Sequence, residues 1–217
     1  MPHKKFVLFD FDGVIADSLG VCVKTARTLC AHITEEEYRR AFEGNIYETH
    51  RKMMPSDHGP ECHHDHDWFE VYIPIFEKEA KLFHGLQEVV SSLARTHILI
   101  IVSSSVNSPI EGFLEKHHLG RYFSEVMGHD VHTHKAEKIR IVFEKYETTS
   151  GECVFVTDTL GDMREATQMN VGAIGVTWGW HSRETLEKGK PFRIVDAAAD
   201  IPGAVSDYFA EKSGVSA

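Results

Sequence analysis

The stretch Phe6-Val7-Leu8-Phe9-Asp10-Phe11-Asp12-Gly13-Val14 decides how the rest of the chain is read. Four consecutive apolar residues, Phe6 to Phe9, have the length and continuity of a strand buried on both faces, the kind found in parallel sheets covered by helices. The run breaks at Asp10, Asp12 and Gly13. A glycine there suits a sharp exit from a strand, because no Cβ obstructs the turn, and backbone N–H groups in such a loop can face an anion. Taken alone, two acids at a strand end are as easily loop residues as catalytic ones.

Comparable runs recur downstream at Ile98–Val102, Val154–Val156 and Ala173–Val176, with weaker candidates at Ser124–Met127 and Phe192–Val195. Helical periodicity fills the intervals. Leu86, Val89, Val90 and Leu93 follow i, i+3, i+4, i+7 spacing, as do Ile110, Phe113, Leu114 and His117, and then Ile139, Val142, Phe143 and Tyr146. This alternation predicts an α/β fold, a doubly wound Rossmann-like parallel sheet with right-handed crossovers. The stretch 17–84 shows helical segments and no convincing strand, punctuated by Gly44-Asn45, Pro55, Gly59-Pro60 and Gly85. It predicts a small α-helical domain inserted after the first strand, with residues 1–16 and 85–217 forming the core. Phe69, Tyr72, Ile73 and Phe76 make a helical stripe within it, read as packing.

The chain has 217 residues and a formal charge of −10, from 23 Lys+Arg against 33 Asp+Glu. That balance argues against nucleic acid or an anionic membrane as partner, yet leaves room for a small anion in a locally positive site. No window approaches the roughly 18 apolar residues of a membrane span, and the apolar run before Asp10 is too short for a signal peptide. Cys22, Cys30, Cys62 and Cys153 show no CxxC pair and suggest no disulfide framework, which fits a cytoplasmic protein. Cys62-His63-His64-Asp65-His66 invites a zinc reading, but structural zinc ligands come as separated pairs; a solvated polar loop is the simpler account.

Four polar features end or follow the predicted strands: Asp10 to Gly13, Ser103-Ser104-Ser105, Lys135, and Asp158 to Asp162. In open α/β sheets, functional groups gather beyond the carboxyl ends of the strands, so all four can meet in one crevice. Carboxylates, a lysine and a hydroxyl together suit a divalent cation and a phosphoryl group, since Mg2+ takes oxygen ligands from one or two carboxylates, waters and a substrate phosphate. A lysine in the first turn of a helix opposes the dipole, which favours a specific role for Lys135. By contrast, Ser103 to Ser105 also fit a polar turn capping the helix begun near Pro109, and Asp162 fits an acid placed by the dipole.

The order DxDGV, hydroxyl, lysine, DxxxD, carried here by Asp10 to Val14, Ser103, Lys135 and Asp158 to Asp162, resembles the haloacid dehalogenase superfamily. The segment Trp178-Gly179-Trp180-His181-Ser182 resembles the loop after the last core strand of its phosphoglycolate-phosphatase-like members, with Ser182 as an N-cap. The resemblance implies a phosphatase for a small phosphorylated metabolite, with the helical insertion as a cap over the site and Mg2+ as cofactor. It implies Asp10 as nucleophile, Asp12 as general acid/base, and Ser103, Ser104 and Lys135 as phosphate-binding groups. The metal ligands it implies are Asp10, Asp12 through its carbonyl, Asp158, and Asp162 in support. Position near the Gly44-Asn45 turn points to Glu43, Asn45, Arg51 and Lys52 as substrate-selecting groups. The expected state is a monomer or homodimer.

Two features depart from the family pattern: Thr157 where a glycine is common, and His84 where a proline is common. A dehalogenase or phosphonatase lacks an acid at the position of Asp12, and a sugar phosphomutase lacks the acid matching Asp162. Phosphomutase and a silent binding protein on the same fold stand as the alternatives.

Overall fold

The computed structural model describes residues 5–53 and 67–214, the side chains of 50–53 excepted. The Cys62–His66 cluster lies outside the described residues. Six strands form one parallel sheet in the order β5-β4-β1-β6-β7-β8. They are β1 (Phe6–Phe9), β4 (Ile98–Val102), β5 (Phe123–Met127), β6 (Cys153–Thr157), β7 (Gly172–Val176) and β8 (Arg193–Val195). Strand β1 is central, with Phe6 opposite Ile98 on one side and Cys153 on the other. The chain first builds outward through β4 and β5, then returns past β1 to build β6, β7 and β8. The order therefore reverses at β1, and the crevice at its carboxyl end is where such sheets place their ligands.

Alternation along the strands explains the unbroken apolar runs. Val7, Phe9, Leu99, Ile101, Val154 and Val156 enter one core cluster, together with residues of α5 (Leu86–Leu93), α6 (Asn107–Lys116) and α10 (Ile201–Lys212). Phe6, Leu8, Ile100, Val102, Cys153 and Phe155 enter a second, beside Ile139 and Val142 of α7 (Lys135–Tyr146) and Ala166 of α8 (Leu160–Gln168). The inner strands β1, β4 and β6 are covered on both faces, so apolar residues fill nearly every position, whereas the edge strands β5 and β8 carry exposed Ser124 and Arg193. Pro109 lies in the first turn of α6, where its missing N–H costs no helical bond.

Between β1 and α5 the chain forms α1 (Leu19–Leu29), α2 (Glu35–Arg40), α3 (Ile46–Met53) and α4 (Trp68–Glu79). Helix α2 opens with a capping box between Thr34 and Glu37. Buried residues of α1 and α4, including Val21, Ala26, Tyr72 and Phe76, belong to the same core cluster as the sheet face that α5 covers. Phe11 joins the layers: its ring stands edge-on to Phe113 at 5.4 Å and 5.9 Å from Phe76.

Two expectations are corrected. The inserted stretch was expected to hold no strand, yet β2 (Ala16–Asp17) pairs antiparallel with β3 (Lys81–Leu82) at its neck. Two-residue strands are too short to show a period. Cys30 is disulfide-bonded, although the cysteine spacing suggests no disulfide framework; whether two thiols can bridge depends on proximity in the fold, which spacing does not carry. Cys22 and Cys153 are buried free thiols.

Candidate active site

Asp10 continues β1 by donating its backbone N–H to Val156 O at 2.9 Å. Its carboxylate is buried, and Oδ1 accepts from Phe11 N at 2.7 Å. Lys135, the first residue of α7, reaches Asp10 Oδ1 at 2.8 Å and Asp162 Oδ2 at 2.7 Å. Burial works against the Lys135 charge, but the two carboxylates outweigh it and hold its ammonium well above the ordinary lysine range. Burial also holds the Asp10 carboxyl well above its usual range, with Lys135 opposing. Burial pushes Asp162 the same way, but Lys135 and hydrogen bonds, that of Thr157 among them, bring it below the usual carboxylate range.

Asp12 accepts three hydroxyl hydrogen bonds. Ser18 Oγ donates to Oδ1 at 2.7 Å, Tyr72 Oη to Oδ1 at 2.8 Å, and Ser105 Oγ to Oδ2 at 2.7 Å. These donors come from the start of α1, from α4 and from the loop after β4, so the carboxylate is fixed by inserted segment and core together. Ser105 is therefore no helix cap; the N-cap of α6 is Val106, without a side-chain bond.

Ser103 is fully buried, and its Oγ accepts from Ser105 N at 3.0 Å. Its carbonyl accepts from the buried Lys138 ammonium. Burial, aided by the neighbouring Lys135 charge, lowers the Lys138 pKa to about 7. Thr157 donates to Asp162 Oδ2 at 2.6 Å and accepts from Thr159 N at 3.2 Å. The residue that departs from the family pattern thus orients an acid that holds Lys135.

Asp158 is buried; its Oδ2 accepts from Trp180 N at 2.7 Å. A Cβ on Gly13, at φ +77°, would stand 2.0 Å from that same oxygen, so the first loop closes on Asp158 only because residue 13 is glycine. Gly13 N donates to Ala16 O at 2.9 Å, so it is spent within the loop and does not face an anion as expected.

The same residues bear on the metal question. Asp158 Oδ1 is buried with no hydrogen-bond partner, and burial pushes the Asp158 carboxyl up to about 8 against the Trp180 hydrogen bond. A buried carboxylate oxygen without a donor is what a hard cation takes as ligand. Among the described residues no group of three or more His, Cys, Asp or Glu side chains makes a ready cation cage. Mg2+ needs none, because waters and substrate oxygens complete its shell. Asp158 offers a buried oxygen without a donor, near enough to Asp10 to act on its charge, so the carboxylates present fit a hard cation.

One cavity of about 400 Å³ brings most of these groups together, although Asp158 is not on its wall. Asp10, Asp12, Ser103, Ser104, Lys135 and Asp162 line it, as does Asn45 from the inserted segment. The Asn45 amide is engaged, donating to Glu165 Oε1 at 2.8 Å and Thr133 O at 3.1 Å. Glu43 does not line the cavity; its carbonyl accepts from Arg164. The side chains of Arg51 and Lys52 lie outside the described residues. Gly161, at the start of α8, permits the close approach of the inserted segment, since a Cβ there would stand 2.2 Å from Gly44 O.

Sequence reading missed Ser18, Tyr72, Ser105, Thr157 and Lys138. Tyr72 carried a signal, a hydroxyl within an otherwise apolar stripe, and a buried tyrosine hydroxyl needs a partner. The others carried none beyond being polar near a motif.

The haloacid dehalogenase-like hydrolase family matches residues 7–176, and the chain belongs to that family. It is similar to "Probable phosphatase IndB" of Dickeya dadantii, with 26% identity over 93% of each chain. It is also similar to a phosphoglycolate phosphatase of Synechococcus elongatus, with 24% identity over 92% of this chain and 96% of the relative. A haloacid dehalogenase-like family hydrolase of Streptococcus pneumoniae shares the fold, with a TM-score of 0.76 and 16% identity over 94% of this chain and all of that one. No helix among the described residues is long and apolar enough to cross a membrane.

Proposed function

We propose that the protein is a Mg2+-dependent phosphatase that hydrolyses a small phosphomonoester metabolite through an aspartyl-phosphate on Asp10. The observation that carries this reading is Lys135. It is fully buried, bridges Asp10 and Asp162, and lies on the wall of the cavity that also holds Asp12. A buried cation beside a buried carboxylate, both open to one cavity, suits an incoming phosphoryl group. Relatives named as phosphatases support the same reading.

In this scheme an Asp10 carboxylate oxygen attacks phosphorus and the bond from phosphorus to the leaving oxygen breaks. Asp12 gives its proton to that oxygen. Asp12 then takes a proton from water, whose oxygen attacks phosphorus; the bond to Asp10 breaks and inorganic phosphate leaves. Ser18, Tyr72 and Ser105 hold the Asp12 carboxylate in place for both transfers. Ser103, Ser104 and Lys135 receive the phosphoryl oxygens. When bound, Mg2+ on Asp10, Asp158 and the Asp12 carbonyl supplies charge neutralisation, with Asp162 in support. The chain divides as core 1–16 and 85–217 with cap 17–84, and works as a monomer or homodimer on small phosphorylated metabolites.

The test is a panel of phosphomonoesters with Mg2+, followed for free phosphate and for the product alcohol. Equal release of both is expected. An isomerised ester without free phosphate would show a mutase instead, and binding without turnover across the panel would show a silent binding protein.

A further inference from the structure

The cavity has a second wall, which the phosphoryl chemistry does not use. Tyr38, Phe42, Tyr47, Trp68, Phe69 and Trp180 line the cavity along with the carboxylates. Tyr38 and Trp68 are stacked, with centroids 5.7 Å apart and planes 21° from parallel. Phe42 leans on Trp180 at 4.2 Å. The open donor on this side is the neutral Trp180 indole N–H, buried without a hydrogen-bond partner; the polar groups of Tyr47, Asn45 and Glu165 are engaged. The Tyr47 hydroxyl donates to Ser104 O, and the Asn45 amide serves Glu165 and Thr133. Glu165 also accepts from Ala136 N at 3.0 Å. Among the described residues Lys135 is the one cationic side chain on the cavity wall, and it is held by two carboxylates.

This arrangement is poor for a leaving group that bears a carboxylate. A second anion would meet aromatic faces and the Glu165 carboxylate, with no described cation to replace its water. The wall suits a flat, uncharged ring, which gains by burial against aromatic faces and by stacking.

Resting on the phosphatase reading, we infer that the substrate is a phosphomonoester whose leaving group is an uncharged planar aromatic unit, in preference to a small carboxylated or polyhydroxy ester. The test compares benzyl phosphate, glycerol phosphate and 2-phosphoglycolate with Mg2+. All three release a primary-alcohol oxygen, so differences report the rest of the molecule and not activation of the leaving group. The expected result is a kcat/KM for benzyl phosphate at least about tenfold above each of the others, the scale on which pocket contacts discriminate. Trp68→Ala should lower the ratio of benzyl phosphate to glycerol phosphate rates about tenfold. Phe69→Leu, a milder change in case the first variant misfolds, should lower it in the same direction. An equal or higher kcat/KM for phosphoglycolate overturns the inference, as does a ratio unmoved by both variants. If none of the three esters yields phosphate, the phosphatase reading itself fails.

Discussion

On the sheet side of the cavity, Asp10, Asp12, Lys135 and Asp162 are each held by a partner from another element, at distances of 2.6 to 2.8 Å. On the aromatic side, Tyr38, Phe42 and Trp68 from the inserted segment and Trp180 from the loop after β7 meet one another only through ring contacts, with centroids 4.2 to 5.7 Å apart. Hydrogen-bonded charges tolerate no exchange, because a buried carboxylate that loses its partner carries the full cost of desolvation. Ring contacts are less directional, and volume-conserving exchange among apolar residues is tolerated. The carboxylate side is therefore the one that exchange would damage most, and the aromatic side the one that can vary.

The largest expected effect breaks the sheet side. Asp10→Asn should reduce phosphate release by at least about a thousandfold, since the amide is nearly isosteric but cannot serve as the anionic nucleophile. Circular dichroism should be unchanged. Retention of a tenth of the activity, about 1.4 kcal/mol of barrier, sinks the nucleophile assignment.

Metal removal asks whether Asp158 waits for a cation. Chelation with EDTA should stop turnover and Mg2+ should restore it, while Ca2+, with its looser and higher coordination, should bind without restoring the rate. Asp158→Asn should raise the Mg2+ concentration needed for half-maximal activity. Rates unchanged after thorough chelation would contradict the site.

Asp12→Ala should slow unactivated esters roughly 10²–10⁴-fold, the usual worth of general acid/base help. A good leaving group such as para-nitrophenol needs no proton, so para-nitrophenyl phosphate should give a burst of nitrophenol and then slow turnover, with phosphate left on the protein. Equal slowing of both ester types without a burst removes Asp12 from the proton transfers.

Lys138 tests the sheet side through stability. Its pKa is about 10.5 in the unfolded chain and is lowered to about 7 by burial when folded. Between those values the unfolded chain binds a proton that the folded chain lacks. Its contribution to stability therefore rises as pH increases from about 7 to about 10, by up to about 1.4 kcal/mol per pH unit. Lys138→Met should remove this slope, read as the difference between wild-type and variant denaturation midpoints across that range. Parallel curves would show that the ammonium is not desolvated.

The smallest effect sharpens the boundary between the two walls. Tyr72 is where the aromatic side reaches across to Asp12. Tyr72→Phe keeps the ring and removes one hydrogen bond worth about 1 kcal/mol. It should lower kcat about fivefold while leaving the preference among esters in place. A change in preference with kcat unchanged would make Tyr72 part of the selecting wall instead.

Much of the sheet side was legible in the chain because its parts are local. Phe6 to Phe9 had to be a doubly covered strand, and Asp10 had to emerge at its end. Lys135 opened a helix where a lysine is otherwise disfavoured, and the helix does begin there. What stayed hidden was pairwise and distant. Ser105 lies 93 residues from Asp12 and Tyr72 lies 60, and no period or spacing links such partners. Tyr72 was read correctly as a packing residue and incompletely as a polar one. The Ser103–Ser105 turn is ambiguous in sequence because serine caps helices and lines anion sites with equal ease; Val106 at the cap removes the first of these roles. Position near a turn points to Asn45, which does reach the cavity, but as a strut between Glu165 and Thr133.

The ribbon of β2 and β3 has a consequence for how such a protein can diversify. Ala16 is paired with Leu82, and Asp17 with Lys81, so the departing and returning chains are clasped side by side before the helices begin. Whatever lies beyond the clasp is, to the sheet, a loop whose two ends already touch. The entropy of closing such a loop grows only with the logarithm of its length. Segments beyond the neck can then be lengthened or shortened at little entropic cost, so long as hydroxyls like those of Ser18 and Tyr72 still reach Asp12 and a ring like that of Phe76 still meets Phe11. A lineage can redraw that segment while Asp10 stays at the end of its strand.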